Sequence, residues 1–268
     1  MAEQLAGGKL LLDQPAEAVT RLTISNPARR NALDHEILDG LAEILPQLDR
    51  GIENRCVLIT GAPPLFSAGY DIAGIPDESF ERDAEALVAH PFHAAMEAIA
   101  KHPWPTVAAI NGHCLGGGLE LAITCDLRIC AAGAKLGMPP AKLGLIYGHT
   151  GLRKFLDAIG LPYTKELFLT GRNLDAERAD QVGLVNWVVP DAELEGYSVE
   201  WAAAVAANAP LSMRGNKHAI DLLNASPELT EQQEAGLVAL RESCFASEDL
   251  REGIRAFGEK RRPQWTGR

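Results

Sequence analysis

Two five-residue runs, Cys56–Thr60 (CVLIT) and Thr106–Ile110 (TVAAI), are almost wholly apolar. Glycine or proline cuts each of them off, at Gly61, Pro63 and Pro64 after the first and at Gly112 after the second. Runs this short and continuous fit strands buried on both faces, as in a parallel sheet covered by helices. The segments around them agree. Ala18–Ser25 alternates apolar and polar residues like a half-buried strand, Leu127–Ala131 reads as a further strand, and Leu184–Val189 (LVNWVV) as one more. Asp34 can cap a helix whose apolar stripe is Ile37, Leu41, Ile44 and Leu48. Strands separated by helices imply crossover units and an α/β fold.

From about Asp191 the composition shifts to helix formers: an Ala-rich segment at 201–209, then Ser212–Asn224, Thr230–Ser247 and Glu248–Lys260. Thr230 with Gln233 fits a capping box. The expected division is a core over 1–190 and a helical region over 191–268, which covers the core or docks on another subunit.

Composition narrows the function. The 25 Lys and Arg against 36 Asp and Glu give a net charge of −11, which argues against general affinity for nucleic acid or an anionic membrane. Hydrophobic residues make up 47% of the chain, enough for a core, so whole-chain disorder is excluded. No apolar run approaches the roughly 20 residues of a membrane helix. The start, MAEQLAGGKLLLDQP, has two acidic residues and no basic n-region, so no leader and a cytoplasmic location are expected. The five cysteines (Cys56, Cys114, Cys125, Cys130, Cys244) are scattered without a CxxC pair, which points to buried free thiols. His90 and His93 lack an evident third ligand, and Pro91 interrupts the local helix, so no metal is expected.

Chemistry concentrates in two turns, each following a buried strand: Phe66-Ser67-Ala68-Gly69-Tyr70-Asp71, and Asn111 to Glu120 with Gly116, Gly117 and Gly118. Three consecutive glycines bare backbone N–H groups, and Leu119, Leu121, Ala122 and Ile123 predict a helix directly after them. Such a helix start offers amides and a positive dipole end to an oxyanion. A tight strand–helix connection explains the triplet equally well when it is taken alone. No Lys follows for a phosphate loop, and the register is not that of a dinucleotide fold.

Taken together, FSAGYD, NGHCLGGGLELAITCD and the closing SEDLREGIRAFGEKRRP resemble the crotonase superfamily, also called the enoyl-CoA hydratase/isomerase family. NPARRNAL and LTGRNLDAERADQVGLVNWVV extend the resemblance through nearly the whole chain. It implies an α/β spiral of ββα units with C-terminal helices used in trimerisation, as a homotrimer or a dimer of trimers. It also implies a CoA thioester as ligand, with no cofactor beyond that CoA. The thioester oxygen would meet the N–H groups of Tyr70 and Gly117. Arg30, Ala32, Ala68, Asp71, Ile72, Gly116, Pro139 and Pro140 would line the substrate, and Lys260 of a neighbouring subunit would meet CoA.

Family hydratases use two glutamates. The first matches Glu120, whereas the second falls where this chain has Pro140, which can neither give nor take a proton. The stretch resembles methylmalonyl-CoA decarboxylase more closely, with a tyrosine at the place of Tyr147, although that enzyme has a histidine where this chain has Tyr70. The expectation is therefore an acyl-CoA lyase, leaning to decarboxylation of a short malonyl-type ester. Enoyl-CoA hydration with Glu120 alone, and a non-catalytic CoA-ester or RNA-binding homologue, are the alternatives. Asp71 either binds ligand or fixes its turn, and Tyr147 is a site residue or a core tyrosine with a satisfied hydroxyl. His149, Arg29, Arg261 and Arg262 read as structural or solvated.

Overall fold

The computed structural model describes residues 2–49, 51–71, 88–225 and 228–268. In chain order the core runs β1 (Glu3–Leu5), β2 (Leu10–Ala16), β3 (Val19–Ile24), α1 (His35–Leu48), β4 (Cys56–Gly61), α2 (His93–Ala100), β5 (Thr106–Ile110), β6 (Cys114–Leu115), α3 (Gly117–Thr124) and β7 (Leu127–Ala131). It continues through β8 (Lys135–Gly137), α4 (Pro140–Leu143), α5 (His149–Thr170), β9 (Leu174–Asp175), α6 (Ala176–Gln181) and β10 (Trp187–Val189). Four helices follow: α7 (Leu194–Ala206), α8 (Pro210–Ala225), α9 (Glu231–Ala246) and α10 (Glu248–Glu259).

Seven strands form the main sheet in the order β1-β2-β3-β4-β5-β7-β10, and β6-β8-β9 form a small second one. In the main sheet β1, β2 and β3 are antiparallel neighbours and every pairing from β3 on to β10 is parallel; in the small sheet β6 pairs parallel with β8, and β8 antiparallel with β9. The expected two-sided burial of the apolar runs is borne out at every residue but Thr60, which is half-buried. Val57, Ile59, Ala108 and Ile110 pack with Ile37, Leu41 and Leu45 of α1 on one face. Cys56, Leu58, Val107 and Ala109 pack with Leu194, Ala202 and Ala206 of α7 on the other. Burying each of the larger side chains contributes about 1.5–3 kcal/mol. Both faces are therefore covered, and the ends of β4 and β5, where the two turns leave the sheet, are fixed from both sides.

The predicted caps are present. The Asp34 carboxylate accepts from the Ile37 N–H, and Thr230 and Gln233 form the reciprocal pair at the start of α9. One strand is shorter than expected. Of Leu184–Val189 only Trp187–Val189 pairs with β7, because the Leu184 and Val185 amides donate instead to Ala179 at the end of α6. The patterning missed β1, β2, the small sheet and the long helix α5.

Asn31 clamps the approach to the first turn. Its backbone has φ +52°, a left-handed value that Asn tolerates better than most residues. Its side chain donates to the Ala62 and Leu65 carbonyls at 2.7 and 2.8 Å and accepts from Asn26 N–H, while its own carbonyl accepts from Ser67 Oγ. Asn31→Ala takes the partner from three backbone groups, the buried Asn26 N–H and the half-buried Ala62 and Leu65 carbonyls, and strains the left-handed turn. The expected loss is roughly 3 kcal/mol of folding stability, read by denaturant titration; an unchanged midpoint would mean that Asn31 does not clamp the turn.

Candidate active site

The two turns meet at their glycines. Leu33 N–H donates to the Gly69 carbonyl at 2.7 Å, and Asp71 N–H donates to the Leu33 carbonyl at 3.0 Å. Successive amides alternate sides in an extended segment, so the Tyr70 N–H points away from Leu33. Gly69 has φ +100°, and a Cβ there would lie 2.9 Å from the Leu115 carbonyl oxygen and 3.3 Å from the Gly117 nitrogen. Only glycine lets the strands come this close. In the second turn the Gly116 N–H is taken by the Gly137 carbonyl at 2.9 Å, so the small sheet anchors the triplet. Gly117 opens α3, where the first amides of a helix have no partner within it. A Cβ on Gly117 would sit 2.6 Å from Tyr70 Cε1, so the Tyr70 ring lies directly against the helix start.

One turn into α3, Glu120 is only 4% exposed. The Tyr147 hydroxyl donates to its Oε2 at 2.6 Å and lies 3.1 Å from the Tyr70 hydroxyl. Since the Tyr147 proton is committed to Glu120, Tyr70 is the donor of the second bond. Burial, reinforced by the Glu120 charge, pushes both phenols well above their ordinary value, so both stay protonated. The Tyr70 ring meets Phe92 edge-on at 4.7 Å, and the Tyr147 ring meets Phe168 at 5.5 Å. These groups open on a cavity of about 220 Å³ lined by Tyr70, Phe92, Met96, Glu120, Tyr147 and Lys154, among others. A buried carboxylate, two neutral hydroxyls and an aromatic wall can hold an apolar group beside a proton relay.

Of the other residues singled out in the sequence, Ala32 is buried and Ala68 half-buried, both next to the first turn. Arg30 is exposed with φ +55°, and its carbonyl accepts from the Ala68 N–H. Asp71 is held by both Arg29 Nε and Nη2, so Arg29, read as solvated, is half of a bidentate pair that braces the turn. Pro140 is buried at the first position of α4 and Pro139 is half-buried before it; neither lines the cavity. His149 is exposed at the start of α5, and Lys260 is exposed just past α10, remote in sequence from the turns. Ile72 lies outside the described residues. His93 lines the cavity, and among the described residues no group of three or more His, Cys, Asp or Glu is arranged to hold a metal ion. Among them, too, no helix is long and apolar enough to cross a membrane.

Sequence reasoning missed Phe92 and Lys154. The first sits beside the histidines and reads as part of a broken helix. The second reads as an exposed position of an Arg153-Lys154 pair, with nothing in the pattern to turn it inward.

An α/β sheet thus feeds two abutting glycine turns beside a buried carboxylate. Residues 14–268 match the enoyl-CoA hydratase/isomerase family, and the chain belongs to it. It is 36% identical over 261 residues to the Mycobacterium tuberculosis protein named probable enoyl-CoA hydratase echA8, covering 96% of this chain and 98% of that one. It is 38% identical over 251 residues to a probable enoyl-CoA hydratase of Bacillus subtilis, covering 93% and 95%. The crystal structure of enoyl-CoA hydratase from Bacillus anthracis superposes with a TM-score of 0.87 at 34% identity, covering 97% of this chain and all of the other.

Proposed function

We propose that the chain is an acyl-CoA lyase that decarboxylates a short malonyl-type CoA ester, with the thioester oxygen held by the N–H groups of Tyr70 and Gly117. The observation that carries this reading is the Tyr147 hydroxyl, bonded to Glu120 on one side and Tyr70 on the other inside the cavity. The C–C bond to the carboxylate breaks, CO₂ leaves, and the electron pair moves onto the thioester as an enolate. Fixed amides aimed at that developing charge need no reorganisation and contribute about 3–4 kcal/mol per donor. The substrate carboxylate, placed among aromatic rings and beside the Glu120 charge, is destabilised until it leaves as neutral CO₂. A proton from water, ordered by Tyr147 and Glu120, then reaches the enolate carbon, and the hydroxide left behind combines with the released CO₂ as bicarbonate. No group beyond the CoA thioester is required.

Hydration has a specific support of its own, since the similar proteins of Mycobacterium tuberculosis and Bacillus subtilis are named enoyl-CoA hydratases. In that reading Glu120 alone orders the attacking water, because position 140 is proline. Separate incubation with methylmalonyl-CoA and with crotonyl-CoA divides the two. Loss of one CO₂ from the first, read by mass, is the expected result; loss of enoyl absorbance from the second without it would overturn the decarboxylase reading. Tyr147→Phe removes the donor to Glu120 and is expected to lower kcat by roughly 10²-fold or more. Unchanged turnover would take Tyr147 out of the site.

Assembly belongs to the same proposal. Ile254 and Phe257 on α10 are 67% and 89% exposed in the single chain, which supports a homotrimer or a dimer of trimers that covers them.

A further inference from the structure

We propose that Lys154 is a positioning residue of this site, its ammonium holding the Glu120 carboxylate against Tyr147. The proposal rests on the reading of Glu120 and Tyr147 as the reacting pair. Lys154 extends from α5 to the opposite side of Glu120 from Tyr147, with Nζ 3.4 Å from Oε1 while Tyr147 holds Oε2. It is anchored there by Thr124 Oγ1 at 2.7 Å, whose own proton goes to the Glu120 carbonyl. The lysine is thus tied to both the side chain and the backbone of the residue it serves. The chain of donors runs Tyr70 to Tyr147 to Glu120, and the ammonium at its far end keeps every donor pointing the same way. With a neutral amine in that place, the charge that holds Oε1 is gone, and the carboxylate that accepts from Tyr147 is no longer fixed from its other side.

Lys154 also lines a wider groove of about 1020 Å³ beside α8, so it faces a second cavity as well as the substrate pocket. The surrounding charges leave Glu120 as its partner. Glu97 of α2 pairs with Lys101, Asp126 after α3 with Lys217 of α8, and Asp157 of α5 with Arg153. The Cys125 thiol is pushed up to about 12 by burial and stays neutral. His93 of α2 lines the pocket, and Asp221 of α8 lines the groove. Burial lowers the Lys154 pKa below the usual lysine value, with Glu120 opposing the shift. The charged form is therefore lost at a lower pH than in an ordinary lysine, and turnover falls as pH rises through that point.

Two measurements test this on the full-length protein. In pH profiles with methylmalonyl-CoA, Lys154→Arg, which keeps its charge, should hold kcat past the alkaline decline of the parent. Lys154→Met should lower kcat roughly 10- to 100-fold with KM nearly unchanged, the range for losing a hydrogen bond to a charged group. An alkaline limb identical in the parent and Lys154→Arg, or a normal kcat in Lys154→Met, overturns the proposal. If Lys154→Met does not fold, Thr124→Val removes the anchor at the same size and should shift the same limb. The second measurement needs no turnover: competitive acetylation of Lys154 across pH, read by mass spectrometry, in the parent and in Glu120→Gln. Loss of the Glu120 charge should move labelling to lower pH, and superimposable curves overturn the coupling. Failure of all turnover with a shifted labelling curve would sink the proposed reaction and leave the Lys154–Glu120 coupling standing.

Discussion

Glu120→Gln is expected to lower kcat by roughly 10²–10⁴ while the protein stays folded. The amide has the size of the carboxylate, so the packing around α3 need not move. Its two ends are no longer alike, however, and Glu120 now serves two donors: Tyr147 at Oε2 and Lys154 at Oε1. If the glutamine oxygen faces Tyr147, its NH₂ faces an ammonium; if it is reversed, the NH₂ meets the phenol and the Tyr147 proton has no acceptor. Either orientation breaks the relay at one end. Stability changes less, because the Lys154 side chain is 26% exposed and keeps Thr124. The check is kcat on the CoA ester that the parent consumes, beside a thermal melt. Near-normal kcat with a normal melt would take the carboxylate out of the chemistry and leave it a capping role in the first turn of α3.

The fold was legible wherever a local pattern had one outcome. CVLIT and TVAAI, short apolar runs cut off by glycine or proline, fit strands covered on both sides, and α1 and α9 carry their caps in the sequence. Helix α5 was not legible because it is two helical segments joined at a kink, where Gly160 leaves the helical region with φ +69° and ψ 173° and Pro162 follows. The strand at 187–189 was overextended because patterning cannot tell a residue that pairs in a sheet from one that satisfies a helix end. At the site, the glycine turns and Glu120 stood out through local spacing and family likeness. Their meeting did not, because contacts between residues 27 to 77 apart in sequence depend on how the sheet and α5 are stacked. Gly151 is one reason they can meet, since a Cβ there would lie 2.6 Å from Glu120 Oε2. Lys154 was the hardest to see: its role comes from which side of α5 turns inward, and one lysine beside an arginine carries no sign of that.

Gly117→Ala is expected to cut kcat by roughly 10²–10³, the range for losing one oxyanion-hole donor. The added methyl would lie 2.6 Å from Tyr70 Cε1 and 2.8 Å from Cδ1, closer than carbon atoms approach. The ring has little room to retreat, with Phe92 against it edge-on and its hydroxyl on Tyr147. The strain therefore falls on the start of α3, which carries both the Gly117 amide and, one turn later, Glu120. Tyr70→Ala removes the ring, so adding Gly117→Ala to it should cost far less than Gly117→Ala does in the parent. A double-mutant cycle on kcat/KM for the consumed CoA ester measures that difference, and contacting residues couple by about 0.5–3 kcal/mol. Strictly additive losses would mean that the methyl acts on something other than the Tyr70 ring. The packing of the first turn on the second would then no longer explain how the Gly117 amide is aimed.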